Sequence, residues 1–262
     1  MGAWERKVAV ITGAGTGIGA AVAERFFRLD AQVMLIARTE KNVRSVCKTL
    51  NEGSSSRTAY YVCDVTDEAG LIAIREEILK KKGRIDILVT CAAASAASGK
   101  TEQLDFEAWR TILATDLDGA FLSCKVFGLP MIRQRYGRIV NMTSFHTIAT
   151  YPERVAYNAA KSGVEGLTRG LAVEWGRYGV TVNAVAPGPV RTPRTSHFLS
   201  QSPDVESGMI ARTPTARLGE TSDVAALVAF LASEEACHIN GQQIVIDGGW
   251  TKNAWWGRHV RE

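Results

Sequence analysis

The sequence predicts an α/β fold, a parallel sheet covered by helices on both faces. Short β-branched runs alternate with longer amphipathic runs along the whole chain, the signature of strand–helix–strand units. The short runs read as near-continuous apolar stretches, as expected of strands buried on both faces. A glycine-rich turn, TGAGTGIG (12–19), joins the first strand to the first helix. The 262 residues are 46% hydrophobic, enough for one large core. Neither an internal repeat nor a low-complexity linker divides them. One domain spanning residues 1–262 is expected.

The strand candidates are KVAVIT (7–12), QVMLIA (32–37), TAYYVC (58–63), DILVT (86–90), RIVNMT (138–143), VTVNAVA (180–186) and QQIVID (242–247). Each is short and rich in Val, Ile, Thr or Tyr, residues that fit a pleated surface. Helical patterns fill the intervals at 17–29, 40–51, 67–82, 105–135, 157–177 and 222–233. The stretch 187–221, rich in Pro, Ser, Thr and Arg, is expected to be a long irregular loop or lid over a substrate. The tail, 248–262, carries Trp250, Trp255 and Trp256, half of the six tryptophans. Aromatics in a tail point to packing or a subunit interface.

Bulk chemistry narrows the function. Thirty-one basic and 27 acidic residues leave a formal charge of +4 with no basic block, a poor match to nucleic acid. The five cysteines are odd in number and show no ligand spacing, which suits reduced thiols and no metal centre. The start, MGAWERKVAVITGAG, enters a strand without the apolar core of a signal peptide. Arg6 stands where a myristoylation motif needs Ser or Thr, and no apolar run reaches membrane-spanning length. A cytoplasmic protein free of membrane is expected.

In TGAGTGIG, Gly13, Gly17 and Gly19 permit a tight turn and close approach to a phosphate, with Thr16 and Ile18 between them. The following helix turns its free N–H groups and positive dipole end toward that anion. Its place between first strand and first helix is the context a dinucleotide-binding turn requires. At the end of the second strand, Ala37 is followed by Arg38, with no carboxylate until Glu40. An acid there would bind the ribose 2′-hydroxyl of NAD, whereas a base accommodates the 2′-phosphate of NADP. NADP(H) is therefore the expected cofactor, with Arg38 as its clamp and NAD(H) the alternative.

YNAAK (157–161) sets Tyr157 and Lys161 one helical turn apart on one face. A phenol ionises near pH 10, and an adjacent ammonium favours the phenolate. Bringing ionisation to neutrality takes roughly 4 kcal/mol, within reach of a lysine and a bound nicotinamide cation together. Ser144, at the carboxyl end of the strand RIVNMT, stands where ligands bind in open α/β sheets.

Together, TGAGTGIG, Ser144 and YNAAK resemble the short-chain dehydrogenase/reductase family. The resemblance spans nearly the whole chain and includes PGPVRT (187–192) and the DGG at 247–249. It implies a Rossmann-like, doubly wound, seven-stranded parallel sheet in a three-layer single domain. It implies Tyr157 as general acid/base, Lys161 as ribose ligand and partner of Tyr157, and Ser144 as the group orienting the carbonyl. It also places Asp64 and Val65 by the adenine, Cys91, Ala92 and Ala93 beside the cofactor, and Pro187, Gly188, Val190 and Thr192 at the nicotinamide end. The substrate is then a small molecule, with Ser95, His146, Tyr151 and Arg194 as candidate contacts and Arg191, His197 and Arg212 as further polar groups. A homotetramer, or a homodimer, is implied, and Gly163, Gly166 and Gly170 would let the helix after YNAAK pack closely on a partner.

Two segments depart from the family pattern. TCAA (90–93) replaces NNAG after the fourth strand. In LATDLDGAF (113–121), Asp116 replaces an asparagine that holds a water linking the lysine to solvent. Residues two apart on a helix face roughly opposite ways, so Asp116 and Asp118 do not form a catalytic dyad. An ionised aspartate there accepts hydrogen bonds and could pair electrostatically with Lys161; Asp116 is expected to support the water link partly through its backbone carbonyl, so that Asp116→Asn is nearly silent. The leading reading is an NADP(H)-dependent interconversion of a carbonyl and an alcohol. A 2,4-dienoyl or enoyl thioester reductase of the same family is an alternative, since those enzymes carry a similar CAA and an aspartate in this helix but lack the Ser/Tyr pair. A non-catalytic NADP-binding regulatory protein is a third, recognisable by stabilisation with NADPH without turnover.

Overall fold

A computed structural model describes residues 4–52, 57–94, 99–200 and 202–254, excepting the side chains of His197 and Phe198. Ser95, Trp255, Trp256 and the His197 side chain lie outside the described residues.

The chain runs β1 (Val8–Thr12), α1 (Gly17–Arg28), β2 (Gln32–Ala37), α2 (Glu40–Asn51), β3 (Thr58–Val62), α3 (Glu68–Lys82) and β4 (Ile87–Thr90). It continues through α4 (Phe106–Leu113), α5 (Gly119–Gln134), β5 (Gly137–Met142), α6 (Val155–Trp175), β6 (Val180–Pro187), β7 (Val190–Arg191), α7 (Pro193–Ser200), α8 (Pro203–Arg212), β8 (Gly219–Glu220), α9 (Thr221–Leu231) and β9 (Gln243–Ile246). Seven strands form one parallel sheet in the order β3-β2-β1-β4-β5-β6-β9. The chain leaves β1 toward β2 and later returns to β4 on its other side, so a crevice opens at the carboxyl ends of β1 and β4.

Period-two alternation assigns each strand residue to one of two cores. Ala9 and Ile11 face a layer with Val22, Val43 and Val228 from α1, α2 and α9. Val8 and Val10 face a layer with Leu71, Phe127 and Leu171 from α3, α5 and α6. With both faces covered, polar residues on the strands need partners. Thr90 donates to Asn141 Oδ1 at 2.9 Å, and the Asn141 amide donates to Thr168 Oγ1 at 3.0 Å. Thr90 thus provides a hydrogen-bonded tie between β4 and β5.

Three expectations change. The helix expected over 105–135 is interrupted by a π-helical turn, Ala114–Asp118, between α4 and α5. The extra residue in the turn lies where Asp116 points inward, and π turns concentrate at functional sites. The stretch 187–221 is not irregular: it folds into α7 and α8, bracketed by the short parallel pair β7–β8. Pro193 and Pro203 each open a helix, where a missing N–H costs nothing. Arg191 ties the excursion together, with its guanidinium on Glu206 and on Glu220. Finally, a Cβ on Gly163 would meet the Leu117 side chain at 2.8 Å, so Gly163 serves packing within the chain. A Cβ on Gly170 would face open space, and one on Gly166 would meet the Arg169 guanidinium at 4.0 Å.

Candidate active site

Gly13 and Gly19 show why the turn after β1 is built of glycine. Gly13 has φ +66°, and a Cβ there would lie 2.6 Å from the Ala92 nitrogen. A Cβ on Gly19 would lie 2.4 Å from the Gly13 carbonyl oxygen. The turn therefore lies backbone to backbone on the Thr90–Ala93 segment. Thr16, the N-cap of α1, is extended and makes no side-chain cap, leaving the first-turn N–H groups for an anion. This cradle opens into a cleft of about 710 Å³ lined by Gly13, Thr16, Gly17, Ile18, Gly19, Arg38, Val65, Cys91, Ala92 and Ala93 on one side. Ser144, His146, Tyr151, Tyr157, Lys161, Pro187, Gly188, Val190, Thr192 and Arg194 line the remainder. A bare glycine turn, an uncapped helix start and a cation beyond β2 are what a dinucleotide requires, and these residues fit one.

At the Arg38 end, the guanidinium lies 3.3 Å from Asp64 Oδ2 and is more than half exposed. Burial opposes ionisation of Asp64, but the Thr66 N–H and hydroxyl and the Arg38 charge outweigh it and hold the carboxyl below its usual range. Asp64 acts here through Arg38; it is not among the residues lining the cleft. Asn42 and Thr39, which the sequence reading passed over, line this end as well.

Ser144 ends β5 in an extended conformation, and its Oγ accepts from the His146 N–H at 3.3 Å. Tyr157 and Lys161 project from the first turns of α6, with the Lys161 ammonium 5.6 Å from the centroid of the Tyr157 ring. Lys161 Nζ donates to the Met142 carbonyl at 3.2 Å and lies 3.2 Å from Asp116 Oδ2. Asp116 Oδ1 accepts from the Ala94 N–H at 2.7 Å. Both charged side chains are almost fully buried. Burial works against the Lys161 charge, but Asp116 more than offsets it and raises the ammonium above its ordinary value. The carboxylate thus meets the lysine directly, the electrostatic pairing open to an aspartate at this position, at 3.2 Å. Asp118 is exposed. Burial, partly offset by Lys161, pushes the neighbouring Cys91 thiol up to about 12, which leaves it unreactive.

The other end of the cleft is aromatic. His146 stands edge-on to Tyr157 at 5.4 Å and to Tyr151 at 4.7 Å. Burial, with Arg154 adding to it, pushes His146 down to about 4, against the opposing effect of a hydrogen bond to Asn158, so the ring is neutral. Trp250 is buried and packs edge-on to Phe145 at 4.8 Å, with the Arg212 guanidinium 4.1 Å over its ring. This tail tryptophan therefore braces the site from within the same chain. The Arg194 guanidinium donates to the Ala94 carbonyl at 3.1 Å. Arg154, Leu199, Met209 and Leu218 also line the cleft and were not singled out from sequence. Arg154 gave one signal, a cation directly before the helix that bears Tyr157.

A family model described as Enoyl-(Acyl carrier protein) reductase matches residues 13–251, the glycine turn through the DGG segment. The chain belongs to the short-chain dehydrogenase/reductase family. D-threitol dehydrogenase of Mycolicibacterium smegmatis is 36% identical over 245 residues, 94% of this chain and 93% of that relative. NAD-dependent glycerol dehydrogenase of Listeria innocua is also 36% identical, covering 94% of each chain. The crystal structure of a gluconate 5-dehydrogenase from Burkholderia cenocepacia, in complex with NADP and tartrate, superposes with a TM-score of 0.88 at 29% identity, over 94% of this chain and 95% of that one. This short-chain dehydrogenase/reductase is accordingly an oxidoreductase of alcohol or ketone substrates. No helix among the described residues is long and apolar enough to cross a membrane, and none of their His, Cys, Asp and Glu side chains cluster as a metal site.

Proposed function

We propose that this enzyme interconverts a ketone and a secondary alcohol on a small molecule, using NADP(H), with Tyr157 as general acid/base. The observation that carries the reading is one cleft lined by the glycine turn, Ser144, Tyr157 and Lys161. When bound, the nicotinamide supplies or accepts the hydride. Tyr157 gives its phenolic proton to the oxygen in the reducing direction and takes the hydroxyl proton in the other. Ser144, placed at the end of β5, donates to that same oxygen and orients the carbonyl. Lys161 supplies the positive charge that stabilises the phenolate, and Asp116 and the Met142 carbonyl hold Lys161 in place. The aromatic wall of Phe145, His146 and Tyr151 narrows access at the substrate end.

The preference for NADP(H) rests on Arg38 following Ala37 at the end of β2. It is supported by the NADP held by the gluconate 5-dehydrogenase, although the glycerol dehydrogenase relative is NAD-dependent. The polyol and gluconate relatives favour small hydroxylated substrates. Assembly into a homotetramer, or a homodimer, is supported by the exposed apolar side chains of Phe121 and Leu129 on α5 and Val173 on α6. The deciding experiment is Tyr157→Phe: it should abolish reduction of a ketone panel while leaving NADPH binding intact by fluorescence titration. Retained turnover would sink the mechanism. A second reading, reduction of an enoyl thioester, is favoured by the Asp116–Lys161 pair and the CAA segment at 91–93. Turnover of crotonyl thioesters without turnover of ketones would establish it.

A further inference from the structure

Four side chains lining the cleft carry a formal positive charge: Arg38, Arg154, Lys161 and Arg194. Among the described residues, no Asp or Glu lines it. Two of the four cations are neutralised from behind the wall, Arg38 by Asp64 and Lys161 by Asp116. The other two are not. Arg194 donates to the Ala94 carbonyl and meets no carboxylate among the described residues. Arg154, the N-cap residue of α6, makes no ion pair or side-chain hydrogen bond among the described residues, and its charge bears on His146 and Tyr151. Nearby arginines of the excursion are satisfied: Arg191 by Glu206 and Glu220, and Arg217 by Asp223. From the sequence Arg194 is a candidate substrate contact and Arg191 a further polar group of the same stretch, and the pairing separates them.

An uncompensated guanidinium in a concave wall of low polarity is where an anion gains most. Phe145, Tyr151, Leu199 and Met209 line the same cleft as these arginines and Tyr157, and their apolar surfaces suit a compact carbon skeleton. We propose that the substrate is an oxo or hydroxy acid whose carboxylate is held by Arg154 and Arg194 while its carbonyl faces Ser144 and Tyr157. The proposal rests on the ketone–alcohol reading above and adds the anionic group.

The test compares a cyclohexanone bearing a carboxylate opposite the carbonyl, its methyl ester, and a phosphate ester of the same ring. Initial rates are measured with NADPH and with NADH. Loss of one charge-assisted contact costs about 1.5–3 kcal/mol, roughly tenfold or more in kcat/KM. The carboxylate should therefore exceed the methyl ester by at least about tenfold. Arg154→Gln and Arg194→Gln should each reduce that ratio by a similar factor. Equal kcat/KM for acid and ester, an unchanged ratio in both variants, or a preference for the phosphate ester overturns the proposal. A second readout needs no turnover. With NADP⁺ present, cyclohexanecarboxylate should raise the thermal midpoint and cyclohexanecarboxamide should not. The Arg154→Gln/Arg194→Gln double variant should lose that protection. Protection without turnover of any ketone would fail the ketone–alcohol reading and retain the anion site. Turnover without preference or protection would do the reverse.

Discussion

Asp116→Asn tests how the buried ion pair shapes the acid/base chemistry. The Lys161 ammonium lies 5.6 Å from the Tyr157 ring centroid. At an effective dielectric constant of about 20, it stabilises the phenolate by about 3 kcal/mol. Asp116 Oδ2 lies 3.2 Å from that ammonium, so it is at most about 9 Å from the ring, and its repulsion of the phenolate is about 2 kcal/mol at the same dielectric constant. The carboxylate thus cancels more than half of what the lysine contributes. An asparagine can still accept from the Ala94 N–H, but it removes the negative charge. The acid limb of the pH–rate profile for alcohol oxidation should then move to lower pH by about one unit. The thermal midpoint should fall as well, since breaking a buried pair costs about 3–5 kcal/mol. The assay is kcat/KM for alcohol oxidation from acid to alkaline pH, with midpoints recorded on the same samples. A limb that stays in place or moves to higher pH refutes the reasoning. This expected outcome runs against the sequence-based expectation that the substitution is nearly silent, and the same measurement decides between the two.

Other outcomes follow from single contacts. Arg38→Asp should raise KM for NADPH by roughly tenfold or more, the worth of a lost guanidinium–phosphate contact, with a much smaller change for NADH. Equal changes would remove Arg38 as the clamp. His146 titrates at about 4 in the folded chain, below its ordinary 6.5. The unfolded chain therefore binds the proton first, and stability falls as pH drops from 6.5 through 4, by at most about 3 kcal/mol. His146→Gln should flatten the fall of the thermal midpoint across that window, and an equally steep fall would refute the assignment. Gly13→Ala brings a Cβ within 2.6 Å of backbone, whereas Gly83→Ala, at φ +75°, meets nothing within 4 Å. Gly83→Ala should cost only the left-handed penalty of about 1–2 kcal/mol. Gly13→Ala should lower the midpoint further and weaken NADPH binding, and equal midpoints would remove the close approach as its cause.

The sheet, its parallel sense and the nucleotide end of the cleft were legible in the sequence because their signals are local. Two-sided burial makes β1 and β4 near-continuous apolar runs. TGAGTGIG carries its own geometry, since only glycine tolerates φ of +66° at Gly13 together with the neighbouring Ala92 backbone. YNAAK places Tyr157 and Lys161 on one face by helical spacing alone. The stretch 187–221 misled because its prolines, read as breakers, instead open α7 and α8.

What only the tertiary structure decided is how charges pair across long sequence separations. Asp116 is one of two acids in LATDLDGAF until α6 delivers Lys161 to it at 3.2 Å. Trp250 is a tail aromatic until it packs against Phe145. Arg191 and Arg194 are equivalent in the sequence; Glu206 and Glu220 take the first and leave the second to the cleft. Coulomb energy depends on distance and burial, and neither is a property of sequence order.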